Sequence, residues 1–205
     1  MSYTLYNREG SGGFAVEAAL VMADLPCELV TLSSTPGTPL DESFKATNPW
    51  GQIPTLIDSD GNVMTETSAI LIDLSQKYPG TIAPAPGSSA HGQYVRWLIF
   101  AAVNVYESVL RRSYTHRYCD DADAYEAVKS ASMRRAREAL AVLDKAAENR
   151  AFLVSDTLTG ADLFVGMLYI WARGDESFEN LARIRLGIRE HARVGPIWKR
   201  HFGER

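Results

Sequence analysis

The chain carries its most informative segment between Asn48 and Leu56, which runs Asn48-Pro49-Trp50-Gly51-Gln52-Ile53-Pro54-Thr55-Leu56. Pro54 stands directly before the β-like run Thr55–Ile57. Because a proline cannot donate a hydrogen bond to a neighbouring strand, it belongs at the start of a strand or at a bend. Turn-forming residues 58–62 and a second β-like run, Val63-Met64, follow. This order predicts an antiparallel hairpin that begins at Pro54.

The residues before this segment predict a strand, a helix and a second strand. Residues 3–6 form a short β-like run, and Gly10-Ser11-Gly12-Gly13 is a turn. Apolar residues then recur at helical spacing over 14–22, and Pro26 ends that pattern. Residues 28–32 supply the second β-like run. Elements of these lengths form a βαβ unit, in which the two strands are parallel.

A second informative segment follows the hairpin and runs Met64-Thr65-Glu66-Thr67-Ser68-Ala69-Ile70. Thr65 can cap a helix whose apolar face includes Ile70, Leu71 and Leu74. The segment therefore places a carboxylate and several hydroxyls at a helix start, where backbone N–H groups and the helix dipole favour anions. On its own it is either an ordinary N-cap or part of an anion-binding site.

The remainder of the chain is helical in pattern. Residues 81–90 are rich in Pro, Gly and Ser and predict a linker. Long helical patterns then cover 93–113, 123–149, 160–172 and 178–191. The balance of charge also differs between the two parts of the chain. Residues 1–80 carry three Lys and Arg against ten Asp and Glu, whereas residues 81–205 carry eighteen Lys and Arg against fifteen Asp and Glu. We therefore expect an α/β domain at 1–80, a linker at 81–90 and an all-helical bundle domain at 91–205.

The composition narrows the class of protein. The 205 residues are 46% hydrophobic and 22% charged, with a net charge of -4, which is typical of a globular chain. No apolar run approaches the roughly 20 residues that span a bilayer, and no signal segment is visible, so we expect a cytoplasmic protein without a membrane partner. The two cysteines and four histidines lack metal-ligand spacing, so no metal is expected. The acidic balance and the lack of a binding motif argue against nucleic acid.

A third segment, far along the chain, predicts another helix start. It runs Phe152-Leu153-Val154-Ser155-Asp156-Thr157-Leu158-Thr159-Gly160-Ala161-Asp162-Leu163. Thr159 and Asp162 occupy the N-cap and N3 positions of the predicted helix over 160–172. Side chains at this spacing can satisfy backbone N–H groups at a helix start, which predicts a structural capping role.

Taken in order, the three segments resemble those of the cytosolic glutathione transferase superfamily, and the resemblance covers essentially the whole chain. Thr67 stands where serine is usual, and Ser155 stands where glycine is usual. The resemblance implies a thioredoxin-like domain followed by an all-α domain. It also implies a homodimeric glutathione transferase that takes glutathione as co-substrate and conjugates a small hydrophobic electrophile, as in detoxification.

The resemblance assigns a role to each matched residue in glutathione binding. Pro54 would be a cis-proline, and the backbone of Ile53 would pair with the cysteinyl part of glutathione. A cis X–Pro bond is uncommon, about one in twenty, and usually serves a purpose. Glu66 would take the γ-glutamyl ammonium group, and the hydroxyl and N–H of Thr67 would take its carboxylate. Gln52 would contact glutathione from the loop before the proline.

The group that stabilises the thiolate is expected in the turn after the first strand. A free cysteine thiol has a pKa of about 8.5, and lowering it by about two units requires roughly 2.7 kcal/mol. One or two hydrogen bonds to the anion suffice, at roughly 1.5–3 kcal/mol each. Gly12 occupies the position at which members of the family that use a catalytic cysteine carry it. The resemblance therefore argues against a mixed-disulfide mechanism. Ser11 is the predicted donor, with Tyr6 as the alternative and the backbone N–H groups of Gly12 and Gly13 as the third choice.

The electrophile would lie on the first helices of the second domain. Tyr106 and Tyr114 would supply aromatic surface there, and Arg111 or Arg112 would supply charge, which would indicate an anionic acceptor. Two alternatives to conjugation stay open. The same pocket could serve a glutathione-dependent peroxidase or disulfide reductase, or a regulatory protein that binds glutathione without catalysis.

Overall fold

The computed structural model describes residues 2–33, 42–175 and 177–205, and it confirms the predicted α/β domain followed by a helical domain. The elements of the first domain are β1 (Tyr3–Asn7), α1 (Gly13–Met22), β2 (Cys27–Thr31), α2 (Glu42–Thr47), β3 (Thr55–Ile57), β4 (Val63–Thr65) and α3 (Thr67–Lys77). The helices of the second domain are α4 (Ser89–Ala101), α5 (Glu107–Ser113), α6 (Tyr125–Ala146), α7 (Gly160–Trp171), α8 (Glu179–Glu190) and α9 (Gly195–Phe202).

The first domain contains a four-stranded mixed sheet in the order β2-β1-β3-β4. β1 and β2 are parallel, with Tyr3 opposite Cys27, which confirms the predicted βαβ unit. β3 pairs antiparallel with both β1 and β4, which confirms the hairpin. Side chains of β1 alternate between buried and half-buried because successive residues of a strand face opposite sides of a sheet.

Helix α1 forms the centre of the molecule. Its residues Gly13 to Leu20 are all buried, although a helix on the surface of a domain would expose one face. It packs against α3 in its own domain and against α7 and α9 of the helical domain. Further hydrogen bonds hold the helical domain to the first domain and to the linker. The Tyr94 hydroxyl donates to the Leu71 carbonyl at 3.1 Å, and the Gly160 N–H donates to the Ile82 carbonyl at 2.8 Å.

Three element boundaries differ from the sequence-based expectation. Thr65 ends β4 instead of capping a helix, and α3 begins at Thr67 with Glu66 as its N-cap residue. The hairpin strand extends one residue further because Thr65 pairs with Thr55 of β3. Helix α4 begins at Ser89, where the Ser88 hydroxyl accepts a hydrogen bond from the His91 N–H. The sequence patterns predict neither α2 nor α9.

The long helical pattern over 93–113 is two α-helices joined by a π-helical turn. Residues Ala102–Tyr106 form this turn between α4 and α5. A π-turn accommodates one extra residue, and such turns are frequent at functional sites. It therefore rotates every side chain of α5 relative to an uninterrupted helix.

The start of α7 is held by buried polar contacts. Asp162 is fully buried, and its carboxylate accepts hydrogen bonds from the Leu153 N–H at 2.8 Å, the Thr159 N–H at 2.9 Å and the Thr159 hydroxyl at 2.6 Å. Thr159 and Asp162 together form a capping box. Burial raises the pKa of Asp162 to about 6, against the opposing effect of these hydrogen bonds.

Candidate active site

The floor of the site is the loop that leads into β3. The Ile53–Pro54 peptide bond is cis. Asn48 holds the loop in shape, because its side-chain amide donates to the Gln52 carbonyl at 2.7 Å and to the Thr55 hydroxyl at 3.0 Å. Both Asn48 and Thr55 are buried, so these bonds are shielded from water. Gln52 and Ile53 line the cleft that opens above the loop.

The start of α3 borders this floor. Glu66 is exposed and has a φ of 62°, a left-handed conformation that costs a residue other than glycine about 1–3 kcal/mol. Such conformations persist where the surrounding structure fixes them, often at functional sites. Thr67, the first residue of α3, is buried, and its hydroxyl donates to the Gly12 carbonyl at 3.4 Å. The start of α3 and the Gly10–Gly13 turn are therefore in direct contact.

The turn itself is fixed by the side chain of Ser11. This buried hydroxyl donates to Asn7 Oδ1 at 3.0 Å and accepts from the Gly13 N–H at 3.2 Å. Asn7 in turn donates from Nδ2 to Glu17 Oε2 at 3.1 Å. The single hydroxyl proton of Ser11 is therefore already used in the hydrogen bond to Asn7. Tyr6, the alternative donor, is half-buried with its ring 5.2 Å from that of Phe44.

Helix α9 supports the turn from the other domain. The Gly10 N–H donates to His201 Nδ1 at 3.2 Å, and His201 Nε2 lies 3.1 Å from Glu17 Oε2. Because Nδ1 accepts a hydrogen bond, we assign the ring proton to Nε2, which donates to Glu17. Arg200 also pairs with the Glu17 carboxylate. We call Asn7, Glu17 and His201 the turn-support network.

Gly12 faces the remaining parts of the site. A Cβ atom on Gly12 would lie 3.0 Å from Thr67 Oγ1, 3.1 Å from the Tyr106 hydroxyl and 3.3 Å from Pro54 Cδ. The turn, the cis-proline, α3 and the helical domain therefore meet at this one position. It lacks a side chain of its own, and the Tyr106 hydroxyl reaches it from across the cleft.

Tyr106 is the last residue of the π-helical turn. Its ring packs against Phe164 and Trp171, with centroids 5.9 Å and 5.5 Å apart. Burial, with a contribution from the charge of Glu66, raises the pKa of the Tyr106 phenol to about 12. The phenol is therefore protonated at neutral pH and can donate a hydrogen bond into the site.

A cleft of about 830 Å³ lies between the two domains above these groups. Ser11, Gly12, Tyr106 and Tyr114 line it.

Of the two neighbouring arginines predicted at the electrophile pocket, only one lines this cleft. Arg112 lines the cleft, whereas Arg111 does not. Arg111 instead pairs with Glu107, at 3.4 Å between Nε and Oε1, and lies over the Tyr118 ring. Neighbouring helical residues point about 100° apart, so only one of the two can face the cleft.

Among the described residues, no group of His, Cys, Asp and Glu could hold a metal ion. No helix within the described ranges is long and apolar enough to cross a membrane.

The turn-support network has no local signature in the sequence. Glu17 lies in an apolar helix, and His201 lies 184 residues further along the chain. No local signal connects them, because their pairing depends on how α1 and α9 pack. A charged residue within an otherwise apolar helix is the one hint that the sequence offers.

The class of protein is defined by two features. The first is a thioredoxin-like sheet whose cis-proline faces a Gly-rich turn, and the second is a helical domain across a cleft from it. The family model described as "Glutathione S-transferase, N-terminal domain" matches residues 1–72. Glutathione S-transferase stcT of Emericella nidulans is 30% identical over 166 residues, which are 79% of this chain and 72% of that protein. The uncharacterized GST-like protein YncG of Escherichia coli is 27% identical over 179 residues, covering 87% and 86%. This chain belongs to the cytosolic glutathione transferase superfamily.

Solved structures support the same fold. A glutathione transferase homolog from Sulfitobacter, with bound glutathione, has a TM-score of 0.83 at 18% identity, covering 96% of each chain. A sphingomonad glutathione S-transferase complexed with glutathione has a TM-score of 0.78 at 22% identity, covering 96% of this chain and 97% of that one.

Proposed function

We propose that this protein is a glutathione transferase that binds glutathione on its first domain and directs the thiolate at an electrophile held in the cleft. The observation that carries the proposal is the meeting of the cis-proline, the start of α3 and the turn at Gly12. Related proteins named glutathione S-transferases, and fold relatives with bound glutathione, support it.

Glutathione would bind along the cleft floor. Ile53 would pair through its backbone with the cysteinyl residue, next to Pro54, and Gln52 would contact the peptide from the same loop. The N–H of Thr67, at the start of α3, has no acceptor within its own helix and suits the γ-glutamyl carboxylate. Glu66 is exposed beside it and suits the ammonium group. The sulfur would then lie next to Gly12.

Three hydroxyls are candidates for stabilising the thiolate. Ser11 is our proposed donor, and it would have to turn its proton from Asn7 to the sulfur when glutathione binds, while the Gly13 N–H continues to hold its oxygen. The Tyr106 hydroxyl needs no such rearrangement, because it already lies beside Gly12. Tyr6 is the weaker alternative, since it does not line the cleft.

The reaction would be a nucleophilic substitution. The thiol proton passes to solvent as the thiolate forms. The sulfur then attacks an activated carbon of the electrophile, a C–S bond forms, and the leaving group departs with the electrons of its bond to that carbon. The protein lowers the barrier by ionising the thiol and holding the two reactants together.

The absence of a side chain at Gly12 favours one alternative, a protein that binds glutathione without turnover. Calorimetry separates the two, because glutathione binding without conjugation supports the alternative. Glu66→Ala should weaken glutathione binding by more than tenfold, or about 1.4 kcal/mol. A smaller loss would contradict the assignment of the γ-glutamyl end.

The thiolate donor is tested by measuring kcat/KM with a chloronitrobenzene for Ser11→Ala, Tyr106→Phe and Tyr6→Phe. If Ser11 is the donor, Ser11→Ala lowers kcat/KM at least tenfold, and Tyr6→Phe leaves it close to the wild-type value. An unchanged Ser11→Ala variant removes Ser11 from this role, and a loss confined to Tyr106→Phe transfers the role to Tyr106.

The homodimer that the resemblance implies is part of the same proposal. Light scattering on the purified protein tests it, with twice the mass of the 205-residue chain as the expected result.

A further inference from the structure

The cleft has a strongly one-sided charge. Its lining contains five arginines, and none of its described lining residues is acidic. The five are Arg8, Arg112, Arg117, Arg173 and Arg205. The chain as a whole has a net charge of -4, so this local excess of positive charge runs against the overall balance. Charges of one sign that line a cleft concentrate ligands of the opposite sign.

Arg112 lacks a partner at its buried end. Its Nη1 atom is buried and makes no hydrogen bond. Burial, together with the nearby charge of Arg173, lowers the pKa of Arg112. Two cations that face one cavity repel each other, and an anion between them would remove this cost and supply the missing acceptor. No ion pair among the described residues involves either arginine, although the salt bridges of the chain employ many other cations.

The wall around these cations is apolar. Val109 and Leu110 of α5, and Ile170 and Trp171 at the end of α7, line the same cleft. Trp171 is half-buried and presents an aromatic surface. A ligand with an apolar, planar body and one anionic group would fill both parts of this wall.

The γ-glutamyl and cysteinyl parts of glutathione do not account for the arginines of the helical domain. Every residue proposed above to bind its γ-glutamyl and cysteinyl parts belongs to the first domain. Arg112 in α5 and Arg173 after α7 line the cleft from the helical domain. This is the domain on which the second substrate is expected to bind.

We propose that the second substrate is an anionic electrophile, an aromatic carboxylate or sulfonate whose acidic group binds Arg112 and Arg173. This inference rests on the proposed function, and it replaces the expectation of a purely hydrophobic electrophile. The thiolate attacks the ring carbon that carries a halide, the C–S bond forms, and the halide leaves with its bonding electrons. The carboxylate stays unchanged on its arginines during the reaction.

A matched pair of electrophiles tests the proposal. Chloronitrobenzoate and the corresponding chloronitrobenzamide have the same shape and leaving group and differ in charge. Each kcat/KM is divided by the rate of the uncatalysed reaction with glutathione, which corrects for their different reactivity. We expect the wild type to prefer the benzoate by at least tenfold. Equal values, or a preference for the amide, would overturn the proposal.

Variants then locate the effect. Arg112→Gln and Arg173→Gln should each lower the preference at least threefold, mainly through KM for the benzoate, with KM for glutathione unchanged. Arg134→Gln removes the same charge from an exposed position of α6 outside the cleft and should keep the wild-type preference. If Arg112→Gln and Arg173→Gln both keep that preference, the assignment of the arginines is wrong. Melting temperatures confirm that each variant is folded.

A binding measurement separates this inference from the proposed function. Nitrobenzoate and nitrobenzamide without the halide cannot react, so their affinities are measured by calorimetry with S-methylglutathione present. A tenfold preference for nitrobenzoate that Arg112→Gln reduces supports the anion site, even if no conjugation occurs and the proposed function fails. Equal affinities reject the anion site, whether or not the protein conjugates other electrophiles.

Discussion

The turn-support network makes a quantitative prediction about the His201→Phe variant. Phenylalanine preserves the ring that packs at centroid distances of 5.5 Å from Phe14 and 5.7 Å from Phe202. It removes the hydrogen bond to the Glu17 carboxylate and the acceptor of the Gly10 N–H. The side chain of His201 is completely buried, so water cannot replace these bonds at the ring.

The cost follows from these two losses. A hydrogen bond to a charged group contributes about 1.5–3 kcal/mol, and a backbone N–H left without an acceptor costs about 1–3 kcal/mol. Because Gly10 is only half-buried, we take the lower end for its N–H. In the variant, the Glu17 carboxylate still accepts a hydrogen bond from Asn7 and pairs with Arg200, so it is not left without a partner. We expect the free energy of unfolding to fall by about 3 kcal/mol.

Equilibrium unfolding in urea measures this loss, and a double-mutant cycle with Glu17→Gln isolates the pair. We expect a coupling free energy of at least about 1 kcal/mol, as residues in one hydrogen-bond network are coupled. His116→Phe, a change at an exposed histidine, serves as the control and should stay within about 0.5 kcal/mol of wild type. A loss below about 1 kcal/mol, or no coupling, would show that the bonds of His201 to Glu17 and Gly10 do not stabilise the fold.

Three further predictions concern the capping box and the site. Asp162→Ala leaves three buried donors without an acceptor and should lower the free energy of unfolding in urea by about 3–5 kcal/mol, whereas Asp156→Ala, exposed in the same loop, should change it little. Because the pKa of Asp162 is raised to about 6, the folded state binds this proton more tightly than the unfolded state, and the stability gained from that tighter binding is fully present below the unfolded pKa of about 3.9 and is lost as pH rises through 6. Urea unfolding at several pH values should therefore show the stability of wild type falling by about 3 kcal/mol relative to Asp162→Asn over that window, and parallel pH profiles would contradict this. Gly12→Ala places a Cβ 3.0 Å from Thr67 Oγ1 and should weaken glutathione binding at least tenfold in calorimetry, while Gly92→Ala, which meets nothing within 4 Å, should leave it unchanged; equal affinity in both variants would contradict the placement of the sulfur.

Local patterns were sufficient to predict the strands of the first domain and how they pair. The hairpin of β3 and β4 follows from two short β-like runs around a strong turn, and the βαβ unit follows from spacing alone. Both depend on residues that are close in sequence. Helix α9 was missed because the residues that it buries, such as Trp198 and Phe202, pack against Phe14 of the first domain. The hydrophobic periodicity of a short segment cannot predict a contact between residues so far apart in the chain.

The cleft was harder to predict than the sheet. The choice between Arg111 and Arg112 depends on the rotation of α5, and the π-helical turn over Ala102–Tyr106 changes that rotation. Propensity and periodicity do not reveal such a turn. The same turn carries Tyr106, whose ring was expected in the electrophile pocket and whose hydroxyl reaches Gly12. The sequence therefore indicated the correct helices without fixing which side chains face the sulfur.

The ionisation state of the glutathione thiol in the binary complex is the direct test of a glutathione site between the cis-proline, the turn and α3. Thiolate absorbs in the ultraviolet where thiol does not, so a difference spectrum of protein with glutathione, recorded across pH, gives the pKa of the bound thiol. If the cis-proline, the turn and the start of α3 form a glutathione site, that pKa lies at least about one unit below the roughly 8.5 of a free thiol. A bound thiol with an unchanged pKa, or no binding of glutathione by calorimetry, would contradict the account.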